Sequence, residues 1–331
     1  MEQRRLGRTG LPVSRLGLGL AALGRPGYIN LGHAEDLQRD YDVPAMEARA
    51  HAVLDAAWAA GVRYFDAARS YGRAEQFLST WLASRRIAPE SVTVGSKWGY
   101  TYTADWRVDA ARHEVKDHSL PVLTRQIAES RALLGAHLDL YQIHSATLDS
   151  GVLDDTAVLK ALARLRADGL RIGLSLSGTK QPEALRRAME IVIDGEPVFD
   201  TVQATWNLLE QSAGPALQAA HDAGIGVIVK EALANGRLTA RNVDASFASS
   251  RRQLDEISAR LNTTVDALAL AAVVAQPWVD VVLSGAATVG QLRSNLTAVD
   301  IALAERDAAQ LLALREDPTE YWRTRSQLPW N

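Results

Sequence analysis

The chain has 331 residues, 47% hydrophobic and 23% charged, the balance of a globular protein and not of a disordered or fibrous one. Its 36 basic and 39 acidic residues leave a net charge of −3, so no nucleic-acid partner and no membrane surface is expected. It contains no cysteine, which excludes disulfides and thiolate metal sites, and no metal is expected.

At the N-terminus, MEQRRLGRTG carries charge with no apolar run behind it, unlike a secretory signal, so a cytoplasmic location is expected. The turn residues Arg8, Thr9 and Gly10 lie between two short apolar segments and predict a small hairpin that plugs the bottom of a barrel. Near-continuous apolar runs then recur from Val13, Val62, Val92, Leu138, Arg171, Asp200, Gly224 and Val279. Such runs suit strands covered on both faces. Between them, leucine and alanine at three- and four-residue spacing predict helices over 45–60, 74–85, 120–134, 154–168, 182–193, 213–223, 265–275 and 289–299. Glycines 61, 169 and 224 stand where helices stop before strands. The most apolar region, 267–287, is broken by Gln276, Pro277 and Asp280 and is too interrupted to span a bilayer.

Eight strand–helix alternations without a composition shift predict one (β/α)8 TIM barrel domain over residues 1–331. A doubly wound open sheet is the competing architecture, but no G-x-G-x-x-G follows any strand. Two long loops, 22–44 and 99–118, are expected over the C-terminal face, with an aromatic and basic tail, YWRTRSQLPWN, beyond the last helix.

In such a barrel the C-terminal strand ends carry the chemistry. Asp66 ends the second strand with Tyr71 just beyond, Lys97 ends the third, and His144 ends the fourth. Taken singly, Asp66 suits a helix cap, Tyr71 a packed rim, and His144 a satisfied core histidine. A buried lysine needs a partner such as Asp66. Together, on consecutive strands, the four suit proton transfer to a carbonyl oxygen. A phenol is a weak acid near pH 7; an adjacent ammonium favours its phenolate, a carboxylate aims the ammonium, and an imidazole orients the substrate oxygen.

At these residues the chain resembles the aldo-keto reductase superfamily. The motifs are RRLGRTGLPVSRLGLGL, GVRYFDAARSYGRAEQFL, VGSKWG, LDLYQIH and SGAATVGQLRSNL, spread over nearly the whole length. The resemblance implies a catalytic set of Asp66, Tyr71, Lys97 and His144, with Tyr71 as proton donor. It implies an NAD(P)(H) cofactor across the barrel mouth and a small-molecule carbonyl substrate. Ser175 and Gln203 would meet the nicotinamide carboxamide. Trp206 would stack on the ring, or else serve as a core tryptophan. Leu233 to Gly236 would wrap the pyrophosphate by backbone amides. Gly285 and the following helix start would take the adenosine phosphate, with Gln291 and Asn295 at the adenine.

Three departures stand out. Leu176 follows the fifth-strand serine where many members have asparagine. Lys230 and Glu231 replace a Tyr-Ser pair; they pair with each other or with a loop, or Lys230 meets the pyrophosphate. Ala287 stands where a basic residue usually clamps a 2′-phosphate, so NADP(H) is implied ahead of NAD(H) but without its cation; Arg293 is the alternative source. Tyr28, Trp98, Tyr100, Trp106, Trp322 and Trp330 are expected at the barrel mouth. Two other functions fit the same residues: a Schiff-base aldolase on Lys97, and a cofactor-binding regulatory protein with negligible turnover.

Overall fold

A computed structural model describes residues 1–331. The chain opens with the hairpin β1 (Gln3–Arg5) and β2 (Pro12–Ser14), followed by β3 (Leu16–Gly19). The short α1 (His33–Asp36) lies in the first long loop, before α2 (Val43–Ala59), β4 (Tyr64–Asp66), α3 (Ala74–Ser84) and β5 (Thr93–Trp98). A second hairpin, β6 (Tyr100–Tyr102) and β7 (Glu114–Lys116), occupies most of the second long loop. Then come α4 (Leu120–Leu134), β8 (Leu138–Ala146), α5 (Thr156–Ala167), β9 (Arg171–Leu176) and α6 (Gln181–Met189). The hairpin β10 (Val192–Ile193) and β11 (Glu196–Pro197) leads to β12 (Thr201–Thr205), α7 (Gly214–Asp222) and β13 (Gly226–Lys230). The last part comprises α8 (Ala248–Arg260), α9 (Val265–Val274), β14 (Val281–Ser284), α10 (Val289–Leu296), α11 (Glu305–Leu312) and α12 (Pro318–Ser326).

Eight strands close into a parallel barrel in the order β3, β4, β5, β8, β9, β12, β13, β14. This is the expected (β/α)8 topology. All of β5 is buried, as is all of β12 and β14, because helices cover one face and the barrel interior fills the other. Leu6 and Val13 from the N-terminal hairpin join Tyr64, Leu140, Ile228 and Val281 in a cluster at the barrel bottom. The hairpin is therefore the plug the sequence predicts. Helix starts carry caps that the sequence supplies: Asp42 accepts from the Ala45 amide, Asp155 from Ala157 and Val158, and Thr288 from Gln291.

Three expectations need correction. The helix predicted over 182–193 ends at Met189, because Asp194-Gly195 turns the chain into a hairpin with φ of 52° and 85°. The C-terminal tail is not all beyond the last helix: Tyr321 to Ser326 lie within α12. Helices α1, α8, α11 and α12 match none of the helices the spacing predicts; α8 buries little beyond Leu254, Ile257 and Ser258, so its apolar stripe is thin. No single helix is long and apolar enough to cross a membrane.

Candidate active site

The strand ends converge on one cavity of about 480 Å³ at the C-terminal face. Asp66 lies at its floor. Its Oδ1 accepts hydrogen bonds from Tyr64 Oη (3.1 Å), Gln142 Nε2 (3.3 Å) and Gln203 Nε2 (3.0 Å), and its Oδ2 pairs with Lys97 Nζ. Lys97 also donates to the Ala67 carbonyl at 3.0 Å. Its ammonium lies 4.8 Å from the centroid of the Tyr71 ring. Both charges are almost wholly buried, so each depends on the other and on these donors.

Tyr71 is placed by the crossing of two loops. Gly24 packs so closely on the Tyr71 carbonyl and Ala74 that a Cβ at position 24 would overlap them. The Gly24 carbonyl in turn accepts from the Arg73 amide at 2.7 Å. The Tyr71 hydroxyl reaches His144 Nε2 at 3.4 Å, and Ser70 Oγ lies 3.3 Å from His144 Nδ1. His144 is aimed by an irregularity in β8: its register on β9 slips between Ile143 and Ala146, and Ser145 has φ of 53°.

The proton states follow from burial. Burial raises the Tyr71 phenol well above its ordinary value; Asp66 adds to this and Arg25 opposes it. The expected lowering by Lys97 does not prevail, because burial and the nearby Asp66 carboxylate outweigh it. Burial, then Lys97 and Arg25, pushes His144 far below its ordinary value, so the imidazole is neutral. A neutral phenol thus faces a neutral imidazole.

Most of the predicted binding residues line the same cavity. Gln203, Lys230, Leu233, Gly236, Gly285, Gln291 and Asn295 are all in its wall, with Asp66, Tyr71 and His144. Lys97 lies behind Asp66, outside the wall, and its ammonium is engaged there, a placement that disfavours its attack on a carbonyl in the cavity. Ser175 is fully buried, and its Oγ accepts the Ser145 amide at 2.8 Å.

Trp206 is a correction. It packs edge-on to Trp278 (5.4 Å between centroids) within the core and lines no part of the cavity. As the residue just after β12, it points to the helix side of the wall, where apolar surface is available to cover the indole. The aromatic set is corrected likewise. Tyr28 and Trp330 line the cavity; Trp98 lies in the core, Trp106 packs on Phe77, and Trp322 packs on Tyr321. Tyr100 stays close, 5.0 Å from the His144 ring. Arg293 is exposed and outside the cavity wall.

Several residues at the site were missed. Arg25, 3% exposed, lies about 5 Å from each of the Tyr28, Tyr71 and Trp330 rings and pairs with Glu114 at 2.9 Å. The only sequence signal was an arginine inside an otherwise apolar start to the first long loop. Gln142 had a better signal, as a polar residue in the apolar run LDLYQIH. Arg325 reaches from α12 to the cavity rim and forks onto Glu231, with Nε to Oε2 at 2.7 Å. Lys230 lies 3.7 Å from Glu231 and donates to Thr205 Oγ1 at 2.8 Å. Burial lowers Lys230 to about 8, with Arg325 and Lys97 adding to the effect against Glu231. Burial alone would raise Glu231, but Arg325 and Lys230 outweigh it and hold the carboxyl at about 2. Glu231, Ala234 and Asn235 all have positive φ, so this loop is shaped with strained backbone.

The cavity reaches Gly285, where open space adjoins the backbone. Asn235, in its wall, has a buried Oδ1 without a partner. The hydrogen-bond donors of a dinucleotide suit this orphaned acceptor. A closed parallel barrel with charged and proton-donating groups at its C-terminal strand ends defines a barrel enzyme.

Comparison with known proteins specifies which. Residues 15–316 match the model of the Aldo/keto reductase family, and the chain belongs to that family. It is similar to pyridoxal 4-dehydrogenase of Microbacterium luteolum, at 26% identity over 89% of this chain and 92% of the relative. It is also similar to the NADH-specific methylglyoxal reductase of Escherichia coli, at 24% identity over 96% and 99%. An aldo-keto reductase from Bacillus halodurans in its holo form shares the fold, with a TM-score of 0.72 and 22% identity over 96% of this chain and 97% of that one. The protein is a nicotinamide-dependent oxidoreductase acting on small carbonyl compounds.

Proposed function

We propose that the chain moves hydride between a nicotinamide cofactor and an aldehyde or ketone, with Tyr71 as general acid in reduction and general base in the reverse oxidation of an alcohol or sugar lactol. The observation that carries this is the Tyr71 hydroxyl in the cavity wall, 3.4 Å from His144 Nε2 and above the Lys97–Asp66 pair. When bound, the nicotinamide supplies or accepts the hydride.

The chain's own groups handle the proton. The buried phenol keeps its proton at neutral pH and releases it only to an oxygen on which negative charge develops. Lys97 and Arg25 then stabilise the phenolate left behind. Neutral His144 orients the carbonyl through Nε2–H, with Ser70 donating to Nδ1 in that tautomer. Gln203, the 233–236 loop, Gly285, Gln291 and Asn295 hold the cofactor in this reading, while Ser175, outside the cavity wall, supports the backbone at Ser145. Lys230 is poised to meet an anionic group there.

At the substrate end, Tyr28, Trp330 and the Arg25–Glu114 pair combine flat apolar walls with fixed charges. Such a surface favours a small aldehyde bearing hydroxyls over a long apolar chain. The pyridoxal relative's name fits a hydroxyl-bearing aldehyde, and the methylglyoxal relative's name fits a small polar one without hydroxyls. The NADP(H) preference implied by the resemblance lacks its cation at Ala287, and the choice of cofactor falls to the adenosine end of the cavity.

The test is Tyr71→Phe. Carbonyl reduction should fall by about 10²- to 10⁴-fold while cofactor affinity stays within a few fold. Reduction of aldehydes at the wild-type rate would remove Tyr71 from the chemistry.

A further inference from the structure

At the Gly285–Asn295 end of the cavity a carboxylate joins the wall. Asp36, on the short helix of the first long loop, has a side chain only 9% exposed. Gln291 Nε2 donates to its Oδ2 at 2.9 Å, and Arg241 forks onto it, with Nη1 to Oδ2 at 2.7 Å. Arg241 Nη1 also donates to the carbonyls of Leu31 and Gly32, both at 3.0 Å. Gly32, at φ 73°, leaves room for it: a Cβ there would lie 2.7 Å from Nη1. Gln291 Oε1 accepts the Ala287 amide at 2.9 Å. One network thus joins Asp36 to the position where the family resemblance expects a 2′-phosphate clamp.

Charge decides what this end accepts. Its cavity wall holds two carboxylates, Asp36 and Asp266, and one guanidinium, Arg241, already engaged. A 2′-phosphate brings about −1.5 to −2 charge and needs unengaged cations. A ribose 2′-hydroxyl brings a donor, which a carboxylate accepts; dinucleotide sites on another fold use an acidic residue in this way for NAD. Ala287 is buried and supplies no charge.

We propose that Asp36, held by Arg241 and Gln291, is a specificity-determining residue that selects NAD(H) over NADP(H). The proposal rests on the reading that this cavity holds the cofactor with its adenosine at the Gly285–Asn295 end. It reverses the order of cofactors implied by the resemblance.

The experiment is a titration of the purified full chain with NADH and, separately, NADPH, followed by tryptophan quenching. Wild type should bind NADH at least about tenfold more tightly. Asp36→Asn keeps an acceptor for Arg241 and removes only the charge. It should tighten NADPH about tenfold, because the carboxylate that repels the 2′-phosphate is gone and the Arg241 charge is no longer neutralised. Asp36→Asn combined with Arg241→Ala should lose that gain. Ala287→Arg is a second, independent variant on another element, and should also tighten NADPH. Wild type binding NADPH as tightly as NADH, or an affinity ratio unmoved by Asp36→Asn in a folded variant, would overturn the role of Asp36 and leave the cofactor reading standing. Failure of both nucleotides to bind would overturn both together.

Discussion

Arg325→Met removes the charge that ties α12 to the barrel mouth. In the native chain Glu231 is 8% exposed at its side chain and is held at about 2, down from 4.5, by Arg325 and then Lys230. A shift of that size corresponds to about 3 kcal/mol of favourable interaction in the charged form. With Arg325 gone, Lys230 at 3.7 Å and Thr205 at 3.3 Å remain. The expected loss is therefore about 2–3 kcal/mol at pH 7, at or just below the lower end of the range for breaking one side of a buried pair because Lys230 still partners the carboxylate. The folded carboxyl lies below its unfolded value, so this contribution is full above about pH 4.5 and fades as pH falls toward 2. Urea unfolding followed by tryptophan fluorescence at pH 7, 5 and 4 measures it. The difference between wild type and variant should be largest at pH 7 and smaller at pH 4. Adding Glu231→Gln should recover part of the loss, since no unpaired carboxylate remains. A loss under about 0.5 kcal/mol at pH 7, or one equal at pH 4 and 7, would show that the pair is not what stabilises the rim.

Three other changes test separate parts of the argument. Gly24→Ala should cost about 1–3 kcal/mol and lower kcat, because its Cβ overlaps the Tyr71 carbonyl; a neutral effect on both would mean that Tyr71 is placed by something else. Lys97→Met leaves Asp66 buried beside three neutral donors and should cost about 3–5 kcal/mol while abolishing turnover, measured by melting and by aldehyde reduction. Burial raises Asp139 to about 6 against the opposing Val94 amide, so the charged form is penalised as pH rises from about 4 to 6. Asp139→Asn should therefore stabilise at pH 7 by about 1 kcal/mol after solvent screening, an advantage that disappears below about pH 4; a destabilised variant at pH 7 would contradict the sign.

Much of the site was legible because a strand end is a local feature. Asp66, Lys97 and His144 each close an apolar run, and the barrel brings consecutive strand ends together without further information. The Asp194-Gly195 turn was equally legible and was missed because the flanking apolar spacing also suited a helix. Helix α8 had too weak an apolar stripe to register. Trp206 shows the limit of residue type alone: its position after β12 allowed either the cavity or the core, and packing on Trp278 took it to the core.

The sequence by itself determined the eight alternating units, the hairpin plug, and the order of proton-handling residues, since periodicity, turns and strand ends act over a few neighbouring residues. The tertiary structure alone decided what closes the cavity. Asp36 meets Gln291 across 255 residues, Arg25 meets Glu114 across 89, and Arg325 meets Glu231 across 94. No local pattern pairs charges at such separations. They find one another because loops of different lengths must cover the same barrel mouth, where a buried charge is tolerated only with its partner.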